Sequence, residues 1–201
     1  KYFLLMINLT INNQRVSVEP GTTVLEAAKK LNINIPTLCH HPDLCVAGNC
    51  RVCVVEQTGA KALIAACAMP VAEGMDIHTN TMKVRNARKH IIELLLSEHR
   101  SDCTKCYKNQ KCELQTLANE FAFGDTIFLD LLKDKPYIID RSSPSFLKDD
   151  SKCIQCGACE SICSKTYFKE DNPEKSCIQI KKEDNPEINV CNQCGECIDI
   201  C

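Results

Sequence analysis

Two short apolar-rich runs open the chain, "LLMINL" at 4–9 and "QRVSV" at 14–18, with the polar pair Asn12-Asn13 between them. This pattern predicts two strands joined by a turn. After Pro20-Gly21 the period changes. In "TTVLEAAKKL", Val24, Ala27, Ala28 and Leu31 recur at helical spacing, and Thr23 and Glu26 stand at capping-box distance. Strand-like pieces return at "RVCVVE" (51–56), "ALIAAC" (62–67) and "MDIHT" (75–79). A hairpin, a crossing helix and further strands predict a small α+β domain over residues 1–79. Residues 81–99 then read as a long amphipathic helix, with Val84, Ala87, Ile91, Leu94 and Leu95 as its apolar face. A short helix is expected over Glu113–Phe121. The stretch 133–150 is polar with two prolines and reads as a linker. The predicted order is thus a domain at 1–79, a second at 80–132, a linker at 133–150 and a third domain at 151–201.

Composition changes this picture in one respect: 17 of the 201 residues are cysteine. Such usage means disulfides, zinc or iron–sulfur clusters. Disulfide scaffolds are mostly short and secreted. This chain is longer, and its start, "KYFLLMINLTINN", has only a brief apolar run and no cleavage-site pattern. No stretch approaches the roughly 18 apolar residues of a membrane span. The expectation is a cytoplasmic protein with no transmembrane segment, whose cysteines are mostly metal ligands. The formal net charge of −2 weighs against nucleic acid as a partner. The chain holds no G-x-G, no P-loop and no Ser/His/Asp or paired-carboxylate constellation, so no catalytic residue is expected in it. A start on Lys1 and a stop on Cys201 read as ends cut from a longer polypeptide or lying in disorder.

An internal repeat carries the strongest chemical signal. "CIQCGACESIC" at 153–163 recurs as "CNQCGECIDIC" at 191–201. Each copy is C-x2-C-x2-C-x3-C, a run whose fourth cysteine serves the other cluster in two-cluster ferredoxins. By that rule Cys153, Cys156, Cys159 and Cys201 hold one [4Fe–4S] cluster, and Cys163, Cys191, Cys194 and Cys197 hold another. Gly157 and Gly195 share one slot and let the backbone approach the sulfides. Ser164, rather than proline, follows the first copy. A further stretch, "SEHRSDCTKCYKNQKCEL", has three cysteines where a cubane needs four ligands. His99 precedes them, giving H-x3-C-x2-C-x5-C, so His99, Cys103, Cys106 and Cys112 form a third candidate [4Fe–4S] site. The first domain leaves two assignments for one [2Fe–2S] cluster. Cys45-x4-Cys50-x2-Cys53 is a plant-type start; Cys39-x10-Cys50-x2-Cys53-x13-Cys67 is the rival. A zinc-binding structural protein is the alternative from a different class.

These four motifs in this order resemble the N-terminal iron–sulfur module of [FeFe] hydrogenases, including the large subunit of electron-bifurcating hydrogenases. Related versions occur in the large iron–sulfur subunit of complex I and in NAD-linked formate dehydrogenases. "CTKCYKNQKCELQ" is especially similar to the hydrogenase version. The resemblance implies a β-grasp [2Fe–2S] ferredoxin domain, a small helical His/Cys3 domain and a bacterial-type two-[4Fe–4S] ferredoxin-like domain. "INIPTLC" stands where such ferredoxins place their first ligand, which favours Cys39 with Cys50, Cys53 and Cys67. One [2Fe–2S] and three [4Fe–4S] clusters then use fifteen cysteines and His99, and Cys45 and Cys177 remain as ordinary thiols. The implied function is single-electron relay within a larger oxidoreductase, hydrogenase-linked. The implied partners are catalytic and flavin- or NAD(H)-binding subunits, with ferredoxin as a further candidate. The alternative is the front of a complete hydrogenase or formate dehydrogenase catalytic subunit.

Overall fold

The computed structural model describes residues 6–121, 139–141, 147–169, 176, 191 and 193–201. Strands β1 (Ile7–Ile11) and β2 (Gln14–Val18) pair antiparallel, with Ile7 opposite Val18 and Ile11 opposite Gln14. The strand expected at 4–9 therefore lies further along, and residues 1–5 are outside the described residues. Asn12 and Asn13 have φ of 48° and 66°. Both central turn residues are left-handed, the geometry that matches strand twist and that asparagine tolerates. The Asn12 side chain also exchanges two hydrogen bonds with Thr79, at 2.7 and 2.9 Å, which pins the turn to the far end of the domain.

Helix α1 (Val24–Lys30) begins as its sequence predicts. Thr23 Oγ1 accepts from the Glu26 amide at 3.2 Å, and the Glu26 carboxylate accepts from the Thr23 amide at 2.7 Å. Such a cap is worth about 1 kcal/mol. The hydrogen bond from the Thr23 backbone also holds the Glu26 carboxyl below its ordinary value. Val24, Leu25, Ala27 and Ala28 are buried in the first core with Leu9, Ile11, Val18, Val55 and Ile77. Leu31, at the helix end, is only partly buried.

Strands β3 (Val54–Gln57), β4 (Ile64–Ala65) and β5 (Asp76–His78) complete a sheet of order β2-β1-β5-β3-β4. β1 and β5 run parallel, and every other pairing is antiparallel. A mixed sheet crossed by one helix is the β-grasp arrangement. β3 starts at Val54 rather than at 51, because Arg51 has a φ of 58° and the cysteine loop leaves the ladder there.

Helix α2 (Met82–Glu98) is capped by Thr81, which accepts from the Val84 amide at 3.2 Å. Its buried residues are Val84, Arg88, Ile92, Glu93 and Ser97. The stripe expected from the apolar positions is thus rotated: Ala87, Ile91 and Leu95 are half-buried and Leu94 is 47% exposed. The physical reason is Arg88, whose guanidinium binds the edge of β3 and carries its side of the helix inward. Helix α3 (Glu113–Phe121) buries Leu114 and Leu117 against α2. Within the stretch read as linker, β6 (Ile139–Asp140) pairs antiparallel with β7 (Lys148–Asp149). Helices α4 (Ala158–Cys163) and α5 (Glu196–Asp199) pack on each other.

Candidate metal centres

Four thiols of the first domain lie where its two cores meet. Cys53 and Cys67 belong to the sheet core and are 1% exposed; Cys39 and Cys50 belong to a second apolar cluster and are 7% and 6% exposed. Their contacts come in pairs. Cys53 Sγ and Cys67 Sγ are 3.3 Å apart as separate thiols, and the Cys50 amide donates to Cys39 Sγ at 3.4 Å. The Cys50 side chain also donates to Cys39, which draws the Cys39 thiol down to about 6 and pushes Cys50 up. Burial pushes Cys67 up to about 12, with Cys53 adding to it. Thiolates this buried are costly without a cation, which is the environment that iron would complete. Cys45 lies elsewhere. Its thiol meets Ser161 Oγ of α4 at 3.5 Å, across to the third domain.

His99 stands at the C-terminal end of α2 and is half-buried. Burial holds its imidazole below the ordinary value, against an opposing hydrogen bond with the Lys152 backbone. The chain then turns through a 3₁₀ segment at Cys103–Lys105, closed by the Cys106 amide donating to the Cys103 carbonyl at 3.1 Å. Gln110, with φ of 66°, redirects the loop so that Cys112 heads α3 and packs at the margin of the second apolar cluster. Cys103, Cys106 and Cys112 are all half-buried.

The two repeat copies have one backbone plan. Gln155 and Gln193 have φ of 55° and 64°, and Gly157 and Gly195 have φ of 81° and 84°. In each copy the glutamine amide donates to the first cysteine, Gln155 to Cys153 Sγ and Gln193 to Cys191 Sγ, both at 3.4 Å. Burial raises Cys153, Cys156 and Cys159, with Cys201 adding to the rise in each. Cys197 is raised by burial and then by Cys163, Cys194 and Cys191. The helix that carries Cys159 and Cys163 packs on the one that carries Cys197, which brings the two runs together. Cys177 lies outside the described residues.

Among the described residues no three His, Cys, Asp or Glu side chains converge on a point that would hold a single ion. The ligands of one polynuclear cluster bind different irons and have no need to converge.

Residues 5–82 match the family described as a 2Fe-2S iron-sulfur cluster binding domain, and residues 88–126 match the NADH-ubiquinone oxidoreductase-G iron-sulfur binding region. The chain is 38% identical, over 98% of its length, to the NADP-reducing hydrogenase subunit HndD of Solidesulfovibrio fructosivorans. It is 34% identical, again over 98% of its length, to a NADH-quinone oxidoreductase subunit of Rhizobium meliloti (strain 1021). The chain thus carries a 2Fe-2S cluster binding domain and a NADH-ubiquinone oxidoreductase-G iron-sulfur binding region, and its homologues are hydrogenase and NADH-quinone oxidoreductase subunits. The chain spans 35% and 23% of those two relatives. A solved NAD+-reducing [NiFe]-hydrogenase superposes with a TM-score of 0.69 at 33% identity, covering 79% of this chain and 65% of that one. The resemblance to [FeFe] hydrogenases read from the motifs is thus joined by one to a [NiFe] enzyme.

The structure adds what the motifs do not encode. One apolar cluster, built on Cys39, Cys50, Val52, Ile92, Leu114 and Leu117, also touches Cys112 and Cys156. Thiols from three of the four sequence motifs therefore border one apolar cluster, with Cys39 and Cys50 buried in it and Cys112 and Cys156 half-buried at its margin. Asn49, beside Cys50, reaches across to the third domain, where its amide donates to the carbonyls of Gln155 and Cys156 at 3.5 and 3.4 Å. Lys165 donates to the Asp43 carbonyl in the same interface. Spacing gave no sign of Asn49. Arg88 could have been suspected, since a charged residue at position i+4 from Val84 and i−4 from Ile92 interrupts an apolar row.

Proposed function

We propose that this chain relays single electrons through one [2Fe–2S] and three [4Fe–4S] clusters within a larger oxidoreductase, hydrogenase-linked. Cys39, Cys50, Cys53 and Cys67 would hold the [2Fe–2S] cluster. His99, Cys103, Cys106 and Cys112 would hold one cubane. Cys153, Cys156, Cys159 and Cys201 would hold the second, and Cys163, Cys191, Cys194 and Cys197 the third. The observation that supports this reading is the packing of α4 on α5, which sets the helix carrying Cys159 and Cys163 against the one carrying Cys197. A four-ligand knuckle built from one run alone would not need the second run beside it. The position of Cys45, turned toward Ser161, supports Cys39 as the first ligand.

When bound, the clusters accept and pass one electron at a time; the chain supplies position and field. Backbone amides aimed at Cys153 and Cys191 stabilise charge on those sulfurs, which favours the reduced state. The shared apolar cluster shields Cys39 and Cys50 from solvent and so tunes the field at that site. We assign residues 1–79, 80–132 and 151–201 as the three cluster domains, joined by 133–150. Catalytic and flavin- or NAD(H)-binding subunits would complete the enzyme, with ferredoxin as an external carrier. The setting is cytoplasmic; no helix among the described residues is long and apolar enough to cross a membrane.

The test is iron and acid-labile sulfide per chain on anaerobically purified protein. Full occupancy gives roughly 14 of each, from one two-iron and three four-iron clusters. About ten of each would remove one cubane from the proposal. Stoichiometric zinc with little iron would overturn it.

A further inference from the structure

Arg88 is 3% exposed, and no carboxylate among the described residues forms an ion pair with it. Its guanidinium donates to two backbone carbonyls, Nε to Val52 at 3.1 Å and an Nη to Val54 at 2.9 Å. Those residues flank Cys53. The sheet explains why the carbonyls are available. The Cys53 carbonyl faces β4 and accepts from the Ala66 amide at 3.2 Å. The neighbouring carbonyls face the other side, where β5 pairs with β3 only at Glu56 and Gln57. Beyond that point no strand among the described residues covers the edge, and α2 supplies Arg88 instead.

Neutral donors would satisfy two carbonyls equally well. A buried cation costs several kcal/mol unless a negative charge offsets it. Burial pulls the guanidinium down from its ordinary value; Cys53 is the first opposing charge and the exposed Glu120 carboxylate the second.

We propose that Arg88 is the built-in countercharge of the four-cysteine centre formed by Cys39, Cys50, Cys53 and Cys67, and that it raises that centre's reduction potential. This rests on the [2Fe–2S] reading above. A [2Fe–2S] centre on four thiolates is already anionic, and one-electron reduction adds a further negative charge with no bond broken and no proton moved. A fixed cation on the Cys53 backbone stabilises the reduced form more than the oxidised one. Because Arg88 comes from α2, the second domain sets the potential of the first.

The experiment is a dithionite titration of the whole chain followed by EPR, with the [4Fe–4S] signals as internal reference. Arg88→Gln keeps a donor to the carbonyls and drops the charge; Arg88→Lys keeps the charge. The expected result is a more negative [2Fe–2S] midpoint in the Gln variant, a midpoint near the original in the Lys variant, and unshifted [4Fe–4S] midpoints in both. Equal shifts in the two variants, or no shift in the Gln variant, would assign Arg88 a purely structural role and overturn the proposal. If the Gln variant does not assemble its cluster, the Lys variant decides: an original midpoint supports the countercharge, a negative one sinks it. Absence of a [2Fe–2S] signal from the unaltered protein would instead refute the cluster assignment.

Discussion

Gly157 and Gly195 occupy one slot of a repeat and have nearly the same backbone, φ +81° and +84°. Replacing either with alanine places a Cβ in the left-handed region, at about 1–2 kcal/mol. Their surroundings differ. Among the described residues a Cβ on Gly195 meets nothing within 4 Å, whereas one on Gly157 lies 3.2 Å from Asn49 Nδ2. That nitrogen is the tip of an exposed side chain, so it can move, but moving gives up its bonds to Gln155 and Cys156. Both are long and partly wet, so together they contribute about 1 kcal/mol. Gly157→Ala should therefore loosen the loop around Asn49 as well as strain its own turn. Hydrogen–deuterium exchange of a peptide spanning 43–52, measured on the anaerobic protein, reads this directly. About 1 kcal/mol corresponds to roughly fivefold faster exchange. Gly195→Ala should leave that peptide unchanged. Equal acceleration in both variants, or none with Gly157→Ala, would refute the claim that Asn49 joins the first and third domains.

Cys39→Ser should abolish the [2Fe–2S] EPR signal while Cys45→Ser retains it; the reverse outcome would restore the plant-type assignment. His99→Ala should remove or shift one cubane signal and leave the [2Fe–2S] signal intact, and an unchanged cubane count would exclude His99 as a ligand. Ile92, fully buried among Cys39, Cys50, Leu114 and Leu117, should cost about 2–5 kcal/mol when cut to alanine. The check is cluster loss to an iron chelator, expected to quicken at the [2Fe–2S] and His99 sites together; quickening at one site alone would separate them.

Local chemistry was legible wherever it depends on neighbours in the chain. The Asn12-Asn13 turn, the Thr23–Glu26 cap and the 113–121 helix each rest on contacts a few residues apart, and each is present in the fold. The inner face of α2 was not legible. Hydrophobic periodicity assigns burial by residue type, and Arg88, Glu93 and Ser97 are polar yet buried. Arg88 takes its partners from another part of the chain, the Val52 and Val54 carbonyls, whereas Ser97 bonds the Leu94 carbonyl and Glu93 pairs with Lys89 within α2.

The same division holds for the metal centres. By itself the sequence determined the candidate ligand sets, because the wrapping of a cluster by C-x2-C-x2-C is a property of a short loop. The symmetry of the repeat also raised the expectation that each run lends its last cysteine to the other. Only the tertiary structure decided which sites adjoin. Asn49 and Cys156 are 107 residues apart in the chain, and no spacing rule spans that distance. Packing of α2 and α3 beneath the cysteine loop brings Cys39, Cys50, Cys112 and Cys156 onto one apolar cluster. That neighbourhood is a consequence of burying Ile92, Leu114 and Leu117, so the route between sites is set by the same packing that stabilises the fold.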